Sequence, residues 1–384
     1  MDHFWTILFA LTALLWAISG ARAARGMAGL PRLDEAPQPD GEYPSVSILV
    51  AARDEARQLP TALASLLAQD YPNYEIIAVN DRSRDATPQI LDELSRTDDK
   101  LQVIHLSDLP PGWLGKPHAL TRAYQNSNGR WLLFTDADVH FAPDLLRRSV
   151  GLVLANGWDH LTLVPFVELK GFWEKTAVSY WVGSFIQAFK PWQIARQGSK
   201  YYVGVGAFQL LRRSAYEELG THQRLALEVV EDVKLGKLVK LGGFASGCAL
   251  AGERLRIRWV EGLGSYLRNL TKNMFAACRF SVSSVLFVVV LSLSVTLLPI
   301  AGVVLASGSA RYLAGISVLA AVLAHMSNGV RLSRVSSLYA LTYPLGALLL
   351  VAVLLRSTVL TLWRGGVVWR DTFYPLEDLR KGMI

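Results

Sequence analysis

Short apolar runs alternate with helical stretches in the first half of the chain. Residues 46–50 and 75–79 are such runs, and each ends at polar side chains, as buried parallel strands do. The leucines between them recur at helical spacing, at positions 59, 63, 66 and 67. This pattern predicts a strand, a helix and a second, parallel strand joined by a right-handed crossover. Residues 102–106 and 130–135 predict a third and a fourth strand.

Acidic side chains follow three of these strands. Asp54 comes after the first, Asp81 closes the second, and Asp136 and Asp138 follow the fourth. Ligands of open α/β sheets bind beyond the carboxyl ends of the strands. We therefore expect these acids to line one crevice.

The remaining apolar pattern is that of membrane helices. Residues 4–20 are uncharged and are followed by Arg22 and Arg25, which predicts an anchoring helix with its carboxyl end in the cytosol; a cleaved signal peptide is the alternative. Three more apolar segments span residues 282–306, 312–330 and 335–355. Residues 178–189 carry an aromatic stripe that fits either a core helix or one in the membrane interface.

The side of the carboxyl-terminal tail is left open by this pattern. Three crossings after a cytosolic domain would put the tail outside, whereas its basic residues favour the cytosol. A re-entrant hairpin broken at Pro344 would resolve the conflict.

Composition agrees with a membrane protein. The 384 residues are 51% hydrophobic, and their mean hydropathy of +0.27 is too apolar for a wholly soluble chain. The net charge of +7 comes without any nucleic-acid-binding motif, so anionic lipid and a diphosphate explain it better than nucleic acid. Cys248 and Cys278 favour a reducing compartment.

Asp136 and Asp138 form a D-x-D pattern directly after a strand. Two carboxylates placed there can join a divalent ion to phosphate oxygens, and hard oxygen ligands suit Mg²⁺ or Mn²⁺. An isolated D-x-D is more often a solvated loop or a helix cap, so the prediction depends on the other acids around it.

Two further positions predict contacts with a nucleotide. Asp81 can accept hydrogen bonds from a base N–H or from ribose hydroxyls, whereas Asp85 fits a helix cap equally well. Lys116 lies in a rigid loop of prolines and glycines, where a lysine can approach a phosphate; a surface loop is the alternative.

Glu231 and Asp232 open a helical pattern. Neighbours on a helix point about 100° apart, so we expect at most one of them to face the crevice. A carboxylate facing it could act as general base toward an acceptor hydroxyl.

Taken in order, these motifs resemble those of the family 2 inverting glycosyltransferases, whose catalytic domain has the GT-A fold. The resemblance extends from Ser45 to Phe275. It implies that Asp54, Asp81, Lys116 and Asp136 bind the nucleotide-sugar donor, that Asp136 and Asp138 hold the metal, and that Asp232, beside Glu231, is the base. Residues 204–206 look like the family's glycine-containing segment on the acceptor side.

The loop at residues 110–117, the anchor, the later spans and residues 369–374 look most like the lipid-directed branch of that family, which includes hopanoid-associated and ceramide glucosyltransferases. The Q/R-x-x-R-W motif of processive members is missing. Arg268 and Lys272 lie four residues apart and could neutralise a diphosphate leaving group instead.

The expected protein is an α/β GT-A domain with α-helical transmembrane segments, in the inner membrane with its catalytic domain in the cytosol. Its expected reaction moves a sugar from a nucleotide-diphosphate sugar, UDP-linked by family default, to a lipid hydroxyl of a hopanoid, sphingolipid or carotenoid. Polyprenyl-phosphate sugar or polysaccharide synthesis and a non-catalytic scaffold are the alternatives. The predicted segments are an anchor (1–21), a linker (22–44), the catalytic domain (45–260), an interfacial helix (261–280), about three transmembrane helices (281–363) and a tail (364–384).

Overall fold

The computed structural model describes residues 2–37, 39, 41 and 43–384. The predicted linker includes Gln38, Asp40 and Glu42, which lie outside the described residues. The chain divides into two compact units. The helical unit comprises Met1–Gly29, Leu169–Pro191 and Val260–Val367; the sheet unit comprises Leu30–Glu168, Trp192–Trp259 and Val368–Ile384.

The strands of the described residues form one large mixed sheet and one small hairpin. They are β1 (Val46–Ala52), β2 (Tyr74–Asp81), β3 (Leu101–Leu106), β4 (Trp131–Asp136), β5 (Val139–Phe141), β6 (His160–Val167), β7 (Gln209–Arg212), β8 (Ser246–Ile257), β9 (Gly366–Trp369) and β10 (Thr372–Pro375). The large sheet has the order β3-β2-β1-β4-β7-β6-β8-β5, and β9 pairs with β10.

The α-helices of the described residues range from single turns to segments of membrane-spanning length. In chain order they are α1 (Asp2–Ala28), α2 (Leu59–Leu67), α3 (Thr87–Ser95), α4 (Gly115–Gln125), α5 (Leu145–Asn156), α6 (Phe172–Phe189), α7 (Arg213–Glu218), α8 (Glu231–Leu241), α9 (Gly262–Thr271), α10 (Met274–Ala277), α11 (Val282–Leu305), α12 (Gly308–His325), α13 (Tyr343–Arg364) and α14 (Leu376–Lys381).

The four strands predicted from the apolar runs are confirmed as β1 to β4. β1 lies between β2 and β4 and is parallel to both, while β7 joins β4 in the antiparallel direction. In this register Ala51 is paired with Asp136, and Ala52 with Asn80. The carboxyl ends of the three neighbouring strands therefore meet at one edge, as the acidic strand ends predicted.

The sheet is covered on both faces, which explains why its strands are continuous apolar runs. Ile48 and Leu133 belong to one buried cluster, and Leu49 and Leu132 belong to the other. Successive side chains of a strand point to opposite faces, so a strand buried on both sides has no polar alternation.

The helical unit contains the apolar segments. Among the described residues, four helical stretches are long and apolar enough to cross a membrane: Asp2–Ala28, Val282–Leu305, Gly308–Val330 and Ser337–Arg364. Pro344 does not break the last one, because it lies in the first turn of the continuous helix α13, where its missing N–H costs nothing. A hairpin broken at Pro344, one way to resolve the conflict over the tail, is therefore not present.

Several boundaries differ from the predicted segments. Helix α1 continues to Ala28, and the chain after it joins the sheet unit, since Leu33 is fully buried there and Leu250 N donates to Pro31 O at 2.9 Å. Helix α6 groups with the helical unit, and the tail from Val368 groups with the sheet unit. Contacts distant in sequence decide all of these assignments.

Candidate active site

The loops after β1 and β2 are tied together by two of the acids considered above. Asp54, with a φ of 55°, accepts a hydrogen bond from the Arg84 N–H at 2.7 Å, and its own N–H donates to Ser83 Oγ. The Asp85 carboxylate accepts from the backbone N–H groups of Thr87 and Ala56. Both carboxylates therefore serve the loop structure, which for Asp85 is close to the capping role weighed above.

Asp81 is buried at the end of β2. Its carboxylate accepts two hydrogen bonds from Arg82, at 2.7 and 3.1 Å, and Arg53 lies 3.7 Å away. It also lies against the amino end of α4, since a Cβ on Gly115 would come within 2.2 Å of Asp81 Oδ2. A glycine is needed there to let the carboxylate reach the helix terminus, where negative charge is favoured.

Lys116 links the strand ends to helix α8. Its ammonium lies 2.5 Å from Asp136 Oδ1 and 2.7 Å from Glu231 Oε1. Burial by itself would lower the pKa of Lys116, but the charges of Asp136 and Glu231 outweigh it and hold that pKa well above its ordinary value. The lysine is thus a fixed positive charge between two acids, not the cation of a surface loop.

The backbone at Gly204 and Gly206 closes the other side of the site. Gly206 N donates to Asp232 Oδ2 at 3.0 Å. A Cβ on Gly206 would lie 2.7 Å from Asp136 Oδ2, and 3.3 Å from both Asp232 Oδ2 and Lys116 Nζ. A Cβ on Gly204 would lie only 1.8 Å from Asp232 O, so side chains at either position would push the site apart. Asp136, Lys116 and Asp232 therefore converge on one point.

Glu231 and Asp232 both reach this point. Glu231 pairs with Lys116, and Asp232 lies beside the same lysine and Gly206. Glu231 is buried against Lys116, whereas Asp232 is only half-buried, so the expectation that at most one of them faces the crevice stays a prediction. They occupy the first turn of α8, where the chain approaches from a loop and adjacent side chains can meet the same partner.

A buried polar chain supports α8 from behind. Gln209 donates to Asp232 O at 3.2 Å, and its amide oxygen lies 3.1 Å from His160 Nε2. The other ring nitrogen, His160 Nδ1, lies 2.8 Å from Ser246 Oγ. Burial lowers the pKa of His160 to about 4, so the ring is neutral at physiological pH.

Two carboxylates of the site have raised pKa values. Burial and the neighbouring Glu231 charge raise the pKa of Asp232 to about 6. Burial and the charges of Asp136 and Glu55 raise the pKa of Asp138 to about 7. A base that is ionised near neutral pH but still basic is suited to accept a proton in catalysis.

The donor set at Asp136 and Asp138 fits a divalent ion that also has phosphate ligands. The charges of Asp136 and Glu55 both act on the buried Asp138 carboxylate, and carboxylate oxygens suit Mg²⁺ or Mn²⁺. Within the described residues, no three His, Cys, Asp or Glu side chains are grouped closely enough to hold a metal by themselves. One or two carboxylates completed by substrate phosphates are a usual arrangement for Mg²⁺.

Comparison with known protein families identifies a large part of the sheet unit. Residues 47–220 match the model of glycosyl transferase family 2. The chain contains a family 2 glycosyltransferase domain. The match includes Asp81, Lys116, the D-x-D pair and the Gly204–Gly206 turn, whereas Glu231 and Asp232 lie beyond it.

Curated relatives of this glycosyltransferase domain include lipid enzymes. A beta-monoglucosyldiacylglycerol synthase of Trichormus variabilis is 39% identical over 114 residues, which is 29% of this chain and 24% of that protein. Its namesake from Synechocystis is 33% identical over 162 residues, 38% of this chain and 33% of that protein. The chain thus aligns with about a quarter to a third of the length of these relatives.

The fold of the glycosyltransferase domain also has a solved counterpart. A mannosyltransferase from Pyrobaculum calidifontis, in complex with GDP-Man and Mn²⁺, aligns with a TM-score of 0.53 and 18% identity, covering 93% of this chain and 99% of that one. The fold is thus the predicted Rossmann-like GT-A fold, with a mixed sheet.

The sheet unit brings together most of the predicted site residues. Arg268 and Lys272 are not among them, because they belong to the helical unit, in α9 and at its carboxyl-terminal cap; their role stays a prediction. The sequence reasoning missed Glu55, whose charge acts on Asp138, and Arg370, which pairs with Glu55. The adjacency of Glu55 to Asp54 was a signal for the first, and the segment 369–374 singled out above contains the second, although the segment does not indicate its partner.

Proposed function

We propose that the protein is an inverting glycosyltransferase that moves a sugar from a nucleoside-diphosphate sugar to the hydroxyl group of a membrane lipid. The observation that carries the proposal is the convergence of Asp136, Lys116 and Asp232 on Gly206, at the carboxyl ends of the strands of a family 2 domain. That edge is where ligands of open α/β sheets bind.

The reaction is a single displacement at the anomeric carbon. The Asp232 carboxylate accepts the proton of the lipid hydroxyl as its oxygen forms a bond to the anomeric carbon. The bond from that carbon to the diphosphate oxygen breaks on the opposite side, and the nucleoside diphosphate leaves with the electron pair. The configuration at the anomeric carbon is inverted.

The chain's own groups prepare this displacement. Gly206 N and the amino-terminal turn of α8 hold the Asp232 carboxylate, and Gln209 fixes the backbone beneath it. Asp136 and Asp138 would hold a divalent ion, Mg²⁺ or Mn²⁺, which would supply positive charge against the leaving diphosphate. Asp81, at the far side of the same edge, is placed for the nucleoside.

The lipid acceptor is supported by two independent features. The relatives that match the domain are named as synthases of a glucosyl diacylglycerol, and the helical unit contains stretches long and apolar enough for a membrane. Hopanoid, sphingolipid and carotenoid hydroxyls belong to the same acceptor class as a diacylglycerol hydroxyl, and a UDP-sugar is the donor we test first.

The topology of this proposal follows from the tail. Residues 192–259 and the tail from Val368 belong to one unit, so the chain must leave and return on the same side of the membrane, with an even number of crossings between them. Three apolar stretches lie in that interval, so we assign α13 as the one that does not complete a crossing. Its Ser357 hydroxyl contacts Thr271 O and the Phe275 N–H, which tie its later half to the start of the interval. The common side is the cytosol, because Arg22 and Arg25 follow the first apolar stretch.

The experiment uses the purified full chain in lipid nanodiscs. It is incubated with Mn²⁺ or Mg²⁺, a panel of UDP- and GDP-sugars and separate lipid acceptors, including diacylglycerol, a hopanoid, ceramide and a polyprenyl phosphate. We expect mass spectrometry to find a glycosylated lipid with a free hydroxyl acceptor. Transfer only to polyprenyl phosphate or to a soluble sugar would refute the acceptor class, and nucleotide release without any transfer product would refute the activity.

A further inference from the structure

The carboxyl-terminal hairpin reaches the edge of the sheet where the proposed donor binds. Its turn is formed by Arg370 and Asp371, both with a positive φ, of 48° and 62°. Arg370 forms an ion pair with Glu55 and lies 3.5 Å from Asp54 O, and Asp371 pairs with Arg84 at 3.6 Å. The hairpin is thus held by the loops that follow β1 and β2.

The hairpin also contacts the part of this edge assigned to the nucleoside. Tyr374 lies close enough to Arg82 to act on its pKa, and Arg82 is the residue that donates twice to the buried Asp81 carboxylate. One short segment therefore touches both the Asp81 side and the Glu55 side of the edge.

Glu55 brings Arg370 close to the acids of the D-x-D pair. The charge of Glu55 acts on Asp138, and the charge of Asp136 acts on Glu55. Arg370 thus pairs with the carboxylate whose charge acts on Asp138.

Arg370 differs from the other cations at this edge in how firmly it is engaged. Lys116 is held by two carboxylates, and Arg82 is bidentate on a buried one. Arg370 pairs with one side-chain carboxylate, and its own side chain is 41% exposed. Its planar guanidinium matches a pair of phosphate oxygens, which a lysine ammonium does not.

Resting on the function proposed above, we infer that Arg370 binds the diphosphate of the nucleotide sugar. A divalent ion held by Asp136 and Asp138 would supply positive charge near Glu55, and Arg370 would then be released from that carboxylate to bind phosphate oxygens. The diphosphate would then be bound by a cation of the tail in addition to Lys116.

The last residue of the tail is also bound to the part of the sheet unit that contains the proposed base. Ile384 N donates to Glu228 at 2.6 Å, and Ile384 O accepts from Lys234 and Lys237 at 2.8 Å. Lys234 and Lys237 belong to α8, the helix that begins with the proposed base. Residues 370–384 are therefore fixed at the loops after β1 and β2 and, at their far end, at helix α8.

The test measures nucleotide binding by calorimetry on the full chain in nanodiscs. The probes are UDP and GDP with Mn²⁺, and uridine and guanosine as ligands without phosphate. We expect Arg370→Gln to weaken diphosphate binding about 10- to 100-fold, as for loss of a charge-assisted hydrogen-bonded pair, and to leave nucleoside binding within about twofold. Arg370→Lys should fall between the parent and Arg370→Gln. Arg84→Gln, which removes an exposed ion pair of the same hairpin, should bind like the parent.

The variant Glu55→Gln distinguishes phosphate binding by Arg370 from a role in which Arg370 only holds the hairpin in place. Measured with a chelator present, this variant frees Arg370 and should bind UDP or GDP at least as tightly as the parent. If Glu55→Gln reproduces the loss seen in Arg370→Gln, or if Arg370→Gln weakens nucleoside and diphosphate equally, the arginine only anchors the hairpin and the inference is wrong. If the parent binds neither diphosphate, the proposed function itself fails.

Discussion

Replacing Lys116 with methionine removes the positive charge beside the proposed base while keeping an apolar side chain of similar length. Lys116 Nζ and Asp232 Oδ2 each lie 3.3 Å from the position of a Cβ on Gly206, so they are at most about 6.6 Å apart, twice that distance. At an effective dielectric constant near 20, a charge pair at that separation is worth about 2.5 kcal/mol, or roughly 1.8 pKa units. The lysine therefore holds the pKa of Asp232 down by about that amount.

Without the lysine, the pKa of Asp232 rises from about 6 to nearly 8. At pH 7 the fraction of carboxylate falls from about nine-tenths to roughly one-seventh, so this effect alone lowers kcat/KM about sixfold. The sign is that of a base: activity is lost as the pH falls through the pKa. The acid limb of the pH profile therefore moves upward by nearly 2 units, and part of the activity returns by about pH 9.

The assay is the pH dependence of kcat/KM for sugar transfer in nanodiscs. Lys100→Met is the matched control, because Lys100 is exposed and lies just before β3, at the opposite end of the strands. We expect its acid limb to coincide with that of the parent. An unshifted acid limb in Lys116→Met, whatever the loss of rate, would refute the assignment of that limb to Asp232.

Three further predictions concern the turn, the ion and the topology. Gly206→Ala places a Cβ 2.7 Å from Asp136 Oδ2, so we expect kcat to fall at least about tenfold, since misplaced catalytic groups are costly, while thermal unfolding changes little. Asp138→Asn removes one ligand charge, and we expect the Mn²⁺ concentration for half-maximal activity to rise about 10- to 100-fold. A cysteine is introduced at position 307 or at position 381, with Cys278 replaced by serine and the buried Cys248 kept. An impermeant reagent should label position 307 from outside the membrane. It should label position 381 only from inside.

Each of these has its own control and contrary result. Gly171→Ala should leave kcat unchanged, because a Cβ there meets nothing within 4 Å; equal losses in both glycine variants would mean a general effect of alanine. An unchanged Mn²⁺ requirement in Asp138→Asn would remove Asp138 from the ion site. Labelling of position 381 from outside would show that α13 crosses the membrane and would contradict the even number of crossings.

The sheet and the edge that carries the site could be predicted because they follow from local patterns. A strand buried on both faces must be a continuous apolar run, and a parallel unit must place the acids after β1, β2 and β4 at one edge. This is why Asp81 and Asp136, which end the two strands on either side of β1, lie at the same edge as predicted. The break at Pro344 that was considered is absent for an equally local reason, since a proline in the first turn of a helix is tolerated.

The direction of individual side chains could not be predicted in the same way. Asp54 and Glu55 are neighbours in a loop, and the positive φ of Asp54 turns its carboxylate toward the next loop and leaves Glu55 beside the D-x-D acids. Glu231 pairs with Lys116, while Asp232 beside it accepts from Gly206 N, at the start of α8. Such outcomes depend on φ and ψ at single residues, which hydrophobic periodicity does not encode.

Contacts across the whole chain were beyond any local pattern. Arg370 meets Glu55 across 315 positions, and Ile384 meets the helix that carries Asp232. The basic residues of the tail favour one side of the membrane, but their number does not say which acid each arginine finds. Only the folded sheet unit brings these groups together.

The central claim is that Asp232 is the base of a single displacement at the donor site. Its most direct test is the rate of sugar transfer by Asp232→Asn under saturating donor, measured together with the affinity for the nucleoside diphosphate. Loss of a positioned general base predicts that kcat falls about 10²- to 10⁴-fold while nucleotide affinity stays nearly constant. A variant that transfers sugar at the parent rate, or that loses rate only in proportion to nucleotide binding, would contradict the account.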